Sequence, residues 1–135
     1  MVEDSRRLLE EQASRKNIVI DNLVTDDIHV CVDLNQFQLI LRNLIHNAIK
    51  FSKANQKVVV SAFKDKQYCH LKVADAGIGM NQDEINLITD SEYFTKVGTQ
   101  QEKGTGLGLL LCKEFVKRNG GMINIVCQWV YTNRP

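Results

Sequence analysis

Gly104-Thr105-Gly106-Leu107-Gly108-Leu109 opens a helical pattern in which Leu107, Leu111, Cys112, Phe115 and Val116 share one face. Asn119-Gly120-Gly121 then supplies a C-terminal stop. A glycine-rich run at a helix N-terminus suits an anion, because backbone N–H groups and the helix dipole both face it. Two further clusters precede the run, Asp75-Ala76-Gly77-Ile78-Gly79-Met80 and Asn43-Leu44-Ile45-His46-Asn47-Ala48. In this order the three describe a nucleotide pocket. The run is not a dinucleotide fingerprint, which must follow a strand and carry an acidic residue about twenty positions on. Here a polar loop precedes it, Asn119-Gly120 stands where the acid would be, and the lysine of a P-loop is absent.

The upstream clusters have chemistry of their own. Asn43, Asn47 and Lys50 fall on one helix face, since positions three and four apart are neighbours. An asparagine carbonyl oxygen is a hard ligand suited to Mg²⁺, and a lysine meets phosphate as a point charge. The same three side chains would also suit the polar border of a core helix. Gly77 and Gly79 let a backbone pass close to a flat ring, and Asp75 at a strand end can accept from an exocyclic amine. Alone, this segment is equally an ordinary strand-to-loop turn.

Around these clusters the chain reads as one domain, by its 135 residues. Residues 3–16 are helix-prone, with Leu8 and Leu9 turned toward a neighbour. Ile18–Ile20 and Ile28–Val32 read as short strands. Asp33 and Gln36 form a capping box for a helix whose Phe37, Ile40, Leu41, Leu44, Ile45 and Ala48 make an apolar stripe. Lys57–Phe63 and Tyr68–Ala74 read as a hairpin, followed by a short helix over Gln82–Thr89. Residues 90–103 form a long polar loop of the kind that serves as a lid. Met122–Cys127 is a strand.

Composition narrows the function classes. A net charge of +1 offers no electrostatic footprint for nucleic acid, and no basic arm or apolar run suits a membrane. Cys31, Cys69, Cys112 and Cys127 have no CxxC spacing and read as reduced, buried thiols. His29, His46 and His70 lack metal-ligand spacing and triad context.

With all three clusters in order, the chain resembles the catalytic ATP-binding domain of two-component sensor histidine kinases. That domain belongs to the superfamily shared with gyrase, MutL and heat-shock chaperone ATPases. Leu44–Ser52 resembles its N box, Asp75–Met80 its first glycine box, Gly104–Leu109 its second, and Tyr93-Phe94-Thr95 loosely its phenylalanine box. The resemblance covers Leu8 to Ile125. It implies a Bergerat-type α/β sandwich, a mixed, mostly antiparallel sheet with helices on one face.

The resemblance also implies ATP and Mg²⁺ as cofactors. Asn47 would ligate Mg²⁺, Asn43 and Lys50 would contact phosphates, and Asp75 would bind the adenine amine. Gly77, Gly79 and Met80 would line the ring's entry, and Phe94 would belong to the pocket. Gly104, Thr105, Gly106, Leu107, Gly108 and Leu109 would close over the phosphates, with residues 81–103 as lid. ATPases of the superfamily place a glutamate one turn before the metal-binding asparagine. Asn43 stands there and is no general base, which favours transfer to a histidine over hydrolysis. A superfamily ATPase and a non-enzymatic nucleotide-sensing module are the alternatives.

The implied partners are a dimerisation and phosphoacceptor domain of a parent kinase and, downstream, a response regulator. The implied setting is the cytoplasm, with any membrane anchor on the parent protein. None of the three histidines has the family's acceptor context, so the chain reads as a fragment that is not phosphorylated alone. Gln128–Pro135 lacks the family's Gly-Thr pair and leaves no room for a last strand. The expectation is an atypical or truncated end, an unpaired sheet edge, and self-association along it.

Overall fold

The computed structural model describes residues 1–75, 83, 107–126 and 129–134, the last two strands mainly by their backbone. Among the described residues there are three helices, α1 (Val2–Arg15), α2 (Leu34–Phe51) and α3 (Leu107–Arg118), and five strands. These are β1 (Val19–Asn22), β2 (Lys57–Lys64), β3 (Cys69–Asp75), β4 (Met122–Val126) and β5 (Trp129–Arg134). The strands form one sheet in the order β1-β2-β3-β5-β4, with β1 parallel to β2 and every other pairing antiparallel. This is the mixed, mostly antiparallel sheet of the expected sandwich.

Hydrophobic periodicity explains the layers. The stripe of α2 buries Ile40, Leu41, Leu44, Ile45, Ala48 and Ile49. Beneath it, period-two alternation turns Val58 and Val60 of β2 and Leu71 and Val73 of β3 to the same face. From α1, Val2, Leu9 and Ala13 join this core, and from α3, Cys112 and Val116. Leu8 does not, being 66% exposed, because only one face of α1 meets α2 and β1. On the other sheet face Phe63 stacks on His70 at 4.5 Å.

The hairpin between β2 and β3 is closed by one carboxylate. Asp65 accepts from the backbone N–H of Gln67 and Tyr68 and lies 2.8 Å from His70 Nε2. The bond with His70 and then the two amides hold its carboxyl down at about 2.

Three further expectations change. Residues 28–32 form no strand. Ile28, Val30 and Val32 instead wall a cavity of about 480 Å³, together with Phe37 and Leu71. Their alternation marks a one-sided apolar wall without ladder partners. Cys31 on that segment is exposed rather than buried, whereas Cys69 and Cys112 are buried. The third change concerns the C-terminus. Trp129–Arg134 is a full strand, paired with β3 on one side and β4 on the other. Only two residues separate β4 from β5 in sequence, so the segment has room for a six-residue strand. The sheet edges are β1 and β4, and the reason for expecting an edge vacated by a missing strand disappears.

The Gln82–Thr89 helix, apart from Asp83, and the loop 90–103 lie outside the described residues, as does Cys127. Among the described residues no helix is long and apolar enough to cross a membrane.

Candidate functional site

The site is built on α2, and the two ends of that helix are held differently. At its start the Asp33 side chain accepts from Gln36 N–H at 2.9 Å, as a capping box requires. The reciprocal bond is not made within the helix. Asn119, just beyond α3, accepts from Asp33 N–H and donates to Gln36 Oε1, both at 2.9 Å. It reaches this position because α3 stops sharply there: Gly120 takes φ 74°, and Gly121 N–H returns to Val116 O at 2.8 Å. The end of α3 is thereby tied to the beginning of α2.

At the far end of α2, Ser52 N–H and Oγ both donate to Ala48 O, at 3.0 and 2.6 Å. Lys16, from the end of α1, sends its ammonium to Ile49 O and Lys50 O, both at 2.9 Å. Neither Asn119 nor Lys16 stood out in the sequence. Asn119 before two glycines reads simply as a terminator, and no pattern marks a lysine for burial.

Between these ends lie Asn43, Asn47 and Lys50, on successive turns. Asn43 is partly buried, and its Nδ2 donates to Leu39 O at 2.9 Å. Its Oδ1 faces Gly108 in the first turn of α3, where a Cβ would stand 2.8 Å away. Gly108, from the second glycine cluster, therefore lies directly against the asparagine face. The side chain of Asn47, also partly buried, has no hydrogen-bond partner among the described residues. Lys50 is buried, with Nζ 5.1 Å from the Phe51 ring centroid. His46 between them is exposed.

Asp75 is the last residue of β3, partly buried and paired in register with Val58. It lies on a strand that α2 packs against. Gly77, Gly79, Met80, Phe94, Gly104, Thr105 and Gly106 lie outside the described residues; Leu107 and Leu109 are described as backbone of α3.

The arrangement fits a phosphate-bound cation. Asn47 offers a neutral side-chain carbonyl oxygen, unengaged among the described residues, the donor that Mg²⁺ takes while keeping waters and phosphate oxygens in its remaining positions. Because Gly108 has no Cβ, Asn43 Oδ1 can occupy the space that a side chain there would take.

The Gly108 contact makes a prediction. In Gly108→Ala, Asn43 must swing aside and lose its bond to Leu39 O, while alanine gains about 1 kcal/mol of helix propensity. Stability should change by less than about 1 kcal/mol, since a net hydrogen bond is of similar size. Nucleotide affinity should fall by about tenfold through the displaced amide. Adding the same change to Asn43→Ala should cost nothing further, because the displaced group is gone. Additive losses in that double-mutant cycle would refute the contact.

Residues 32–134 match the family described as histidine kinase-, DNA gyrase B- and HSP90-like ATPase. An uncharacterised sensor-like histidine kinase of Rhizobium meliloti is 34% identical over 87% of this chain and 23% of its own length. Sensor histidine kinase WalK of Bacillus subtilis is 34% identical over 77% of this chain and 18% of its own. The chain thus spans less than a quarter of each of these relatives. Among solved structures, the catalytic domain of histidine kinase ThkA superposes with a TM-score of 0.82 at 24% identity. That match covers 99% of this chain and 89% of ThkA's domain, and shows the fold. Full-length ShkA gives 0.79 at 25% identity, over 99% of this chain and 29% of its own. By sequence profile, by relatives and by fold, the chain belongs to the histidine kinase-, DNA gyrase B- and HSP90-like ATPase family, beside the catalytic domains of sensor histidine kinases.

Proposed function

We propose that this domain binds Mg-ATP and donates the γ-phosphate to a histidine on a separate dimerisation and phosphoacceptor domain. The carrying observation is Asn47, partly buried and unpartnered among the described residues, on the face where Asn43 meets Gly108. In this reading Asn47 ligates Mg²⁺, Asn43 and Lys50 attend the phosphates, and Asp75 takes the adenine amine. Gly77, Gly79, Met80 and Phe94 line the ring. Gly104, Thr105, Gly106, Leu107, Gly108 and Leu109 supply the backbone over the phosphates. Full-length ShkA, which this domain resembles, was solved in complex with AMPPNP, which supports a nucleotide ligand here. The downstream acceptor would be a response regulator, and the setting the cytoplasm.

Transfer is favoured over hydrolysis by position 43. A hydrolase needs a base within reach of its water, and an asparagine amide does not accept that proton. The remaining work is positioning and charge neutralisation, which suffice for phosphoryl transfer. The test is incubation with γ-labelled ATP and Mg²⁺, with and without a helical histidine domain from a sensor kinase. Label is expected on the added domain and not on this chain. Stable label on this chain, or rapid phosphate release with no transfer, would overturn the proposal.

A further inference from the structure

We propose that Lys16 is a positioning residue for the nucleotide site, holding the last turn of α2 from the end of α1. This rests on the nucleotide reading above. Its physical basis is the carbonyl end of the helix. An α-helix leaves its last carbonyls without intrahelical partners, and buried ones must find others. After Phe51 the chain turns extended at Ser52, φ −76° and ψ 147°, so no later helical N–H returns to them. Ser52 serves Ala48 O, and the Lys16 ammonium serves both Ile49 O and Lys50 O.

Lys16 is only 4% exposed. A lysine so buried is unusual without partners, and here it has two charge-assisted bonds at the negative end of a helix dipole. Its placement is over-determined. Asn17 adopts φ 55°, and Ile18 N–H returns to Ala13 O at 2.8 Å, which ends α1 sharply with Lys16 as the cap. The Lys16 carbonyl accepts from Asn55 N–H at 3.0 Å. One residue therefore holds both sides of the α2–β2 connection, its side chain on 49–50 and its backbone on 55.

The turn it holds belongs to the site. Lys50 is in that turn, and in an α-helix the Asn47 carbonyl is bonded by the amide four residues on, that of Phe51. If residues 49–51 fray, Lys50 leaves the face and Asn47 loses the turn that orients it. The other end of α2 would stay in place, since Asn119 secures it. Because α1 carries the latch, any displacement of its last turn reaches the pocket through Lys16.

The test compares Lys16→Met with Leu71→Ala. Leu71 is buried in the wall of the cavity beside Phe37, several turns of α2 away from Lys50. Both variants should lower the melting temperature. Lys16→Met should also lower Mg-ATP affinity by about tenfold, the low end for residues that support a metal ligand. Hydrogen exchange at amides 49–52 should quicken while that of 37–41 stays unchanged. Leu71→Ala should bind Mg-ATP as the parent does. Lys16→Gln, which keeps a donor without charge, is read the same way if Lys16→Met does not fold. Parent-like affinity in the Lys16 variant, or a proportional affinity loss in Leu71→Ala, overturns the inference. If the parent chain binds no nucleotide, the functional proposal fails, and with it the role assigned to Lys16; exchange then reports only whether the latch exists.

Discussion

Asn47→Ala is expected to lower Mg²⁺-dependent ATP affinity by at least about 100-fold, or about 2.8 kcal/mol, with the fold intact. The two halves of that expectation have separate causes. The affinity falls because a methyl group cannot replace the only protein oxygen that the site offers the cation in the proposed reading. The fold survives because Asn47 is partly buried and bonds to nothing else among the described residues, so its removal strands no partner. Alanine is also the better helix former, by up to about 0.7 kcal/mol. Calorimetric titration with Mg²⁺ and with chelator separates the possibilities. A loss seen only with Mg²⁺ identifies a metal ligand. An equal loss in chelator would move Asn47 onto the nucleotide itself, and unchanged affinity with Mg²⁺ would remove it from the site.

Deleting residues 128–135 is expected to abolish cooperative folding. β5 is an interior strand, paired with β3 from Cys69↔Arg134 to Ala74↔Trp129 and with β4 from Met122↔Asn133 to Val126↔Trp129. Its loss opens the edge of β3 and detaches β4 from the sheet altogether. Backbone hydrogen bonds contribute about 1 kcal/mol each, and a small domain holds only about 5–15 kcal/mol in total. Two ladders lost together exceed that reserve. Circular dichroism should show no sigmoidal melt above 20 °C. A parent-like melt in the shortened chain would mean that β5 is dispensable and not interior.

The fate of individual residues shows how far sequence reasoning reached. The stripe Ile40-Leu41-Leu44-Ile45-Ala48 is buried as its spacing requires, and Asp33 caps the helix it was assigned. The hairpin from Lys57 to Asp75 forms with the expected strands. These are local properties, set by helical period, β-branched alternation and capping chemistry. Ile28–Val32 has the alternation of a strand, yet alternation registers only that one side is apolar. Whether a neighbour offers a free ladder is a tertiary fact. The C-terminal segment differs for a related reason: lacking the family's Gly-Thr pair, it still finds ladder partners on both sides, in β3 and β4.

The candidate site divides along the same line. By itself the sequence determined the family, the helix face carrying Asn43, Asn47 and Lys50, and the strand end carrying Asp75, because these depend on residue type and short-range spacing. Only the tertiary structure decided that Gly108 lies against Asn43, that Asn119 and Lys16 hold the two ends of α2, and that β5 enters the middle of the sheet. Those contacts join residues such as 33 with 119 and 16 with 50. Long-range hydrogen bonds form wherever packing brings a helix end's unpaired donors and acceptors against a side chain, and packing carries no local signature in the chain.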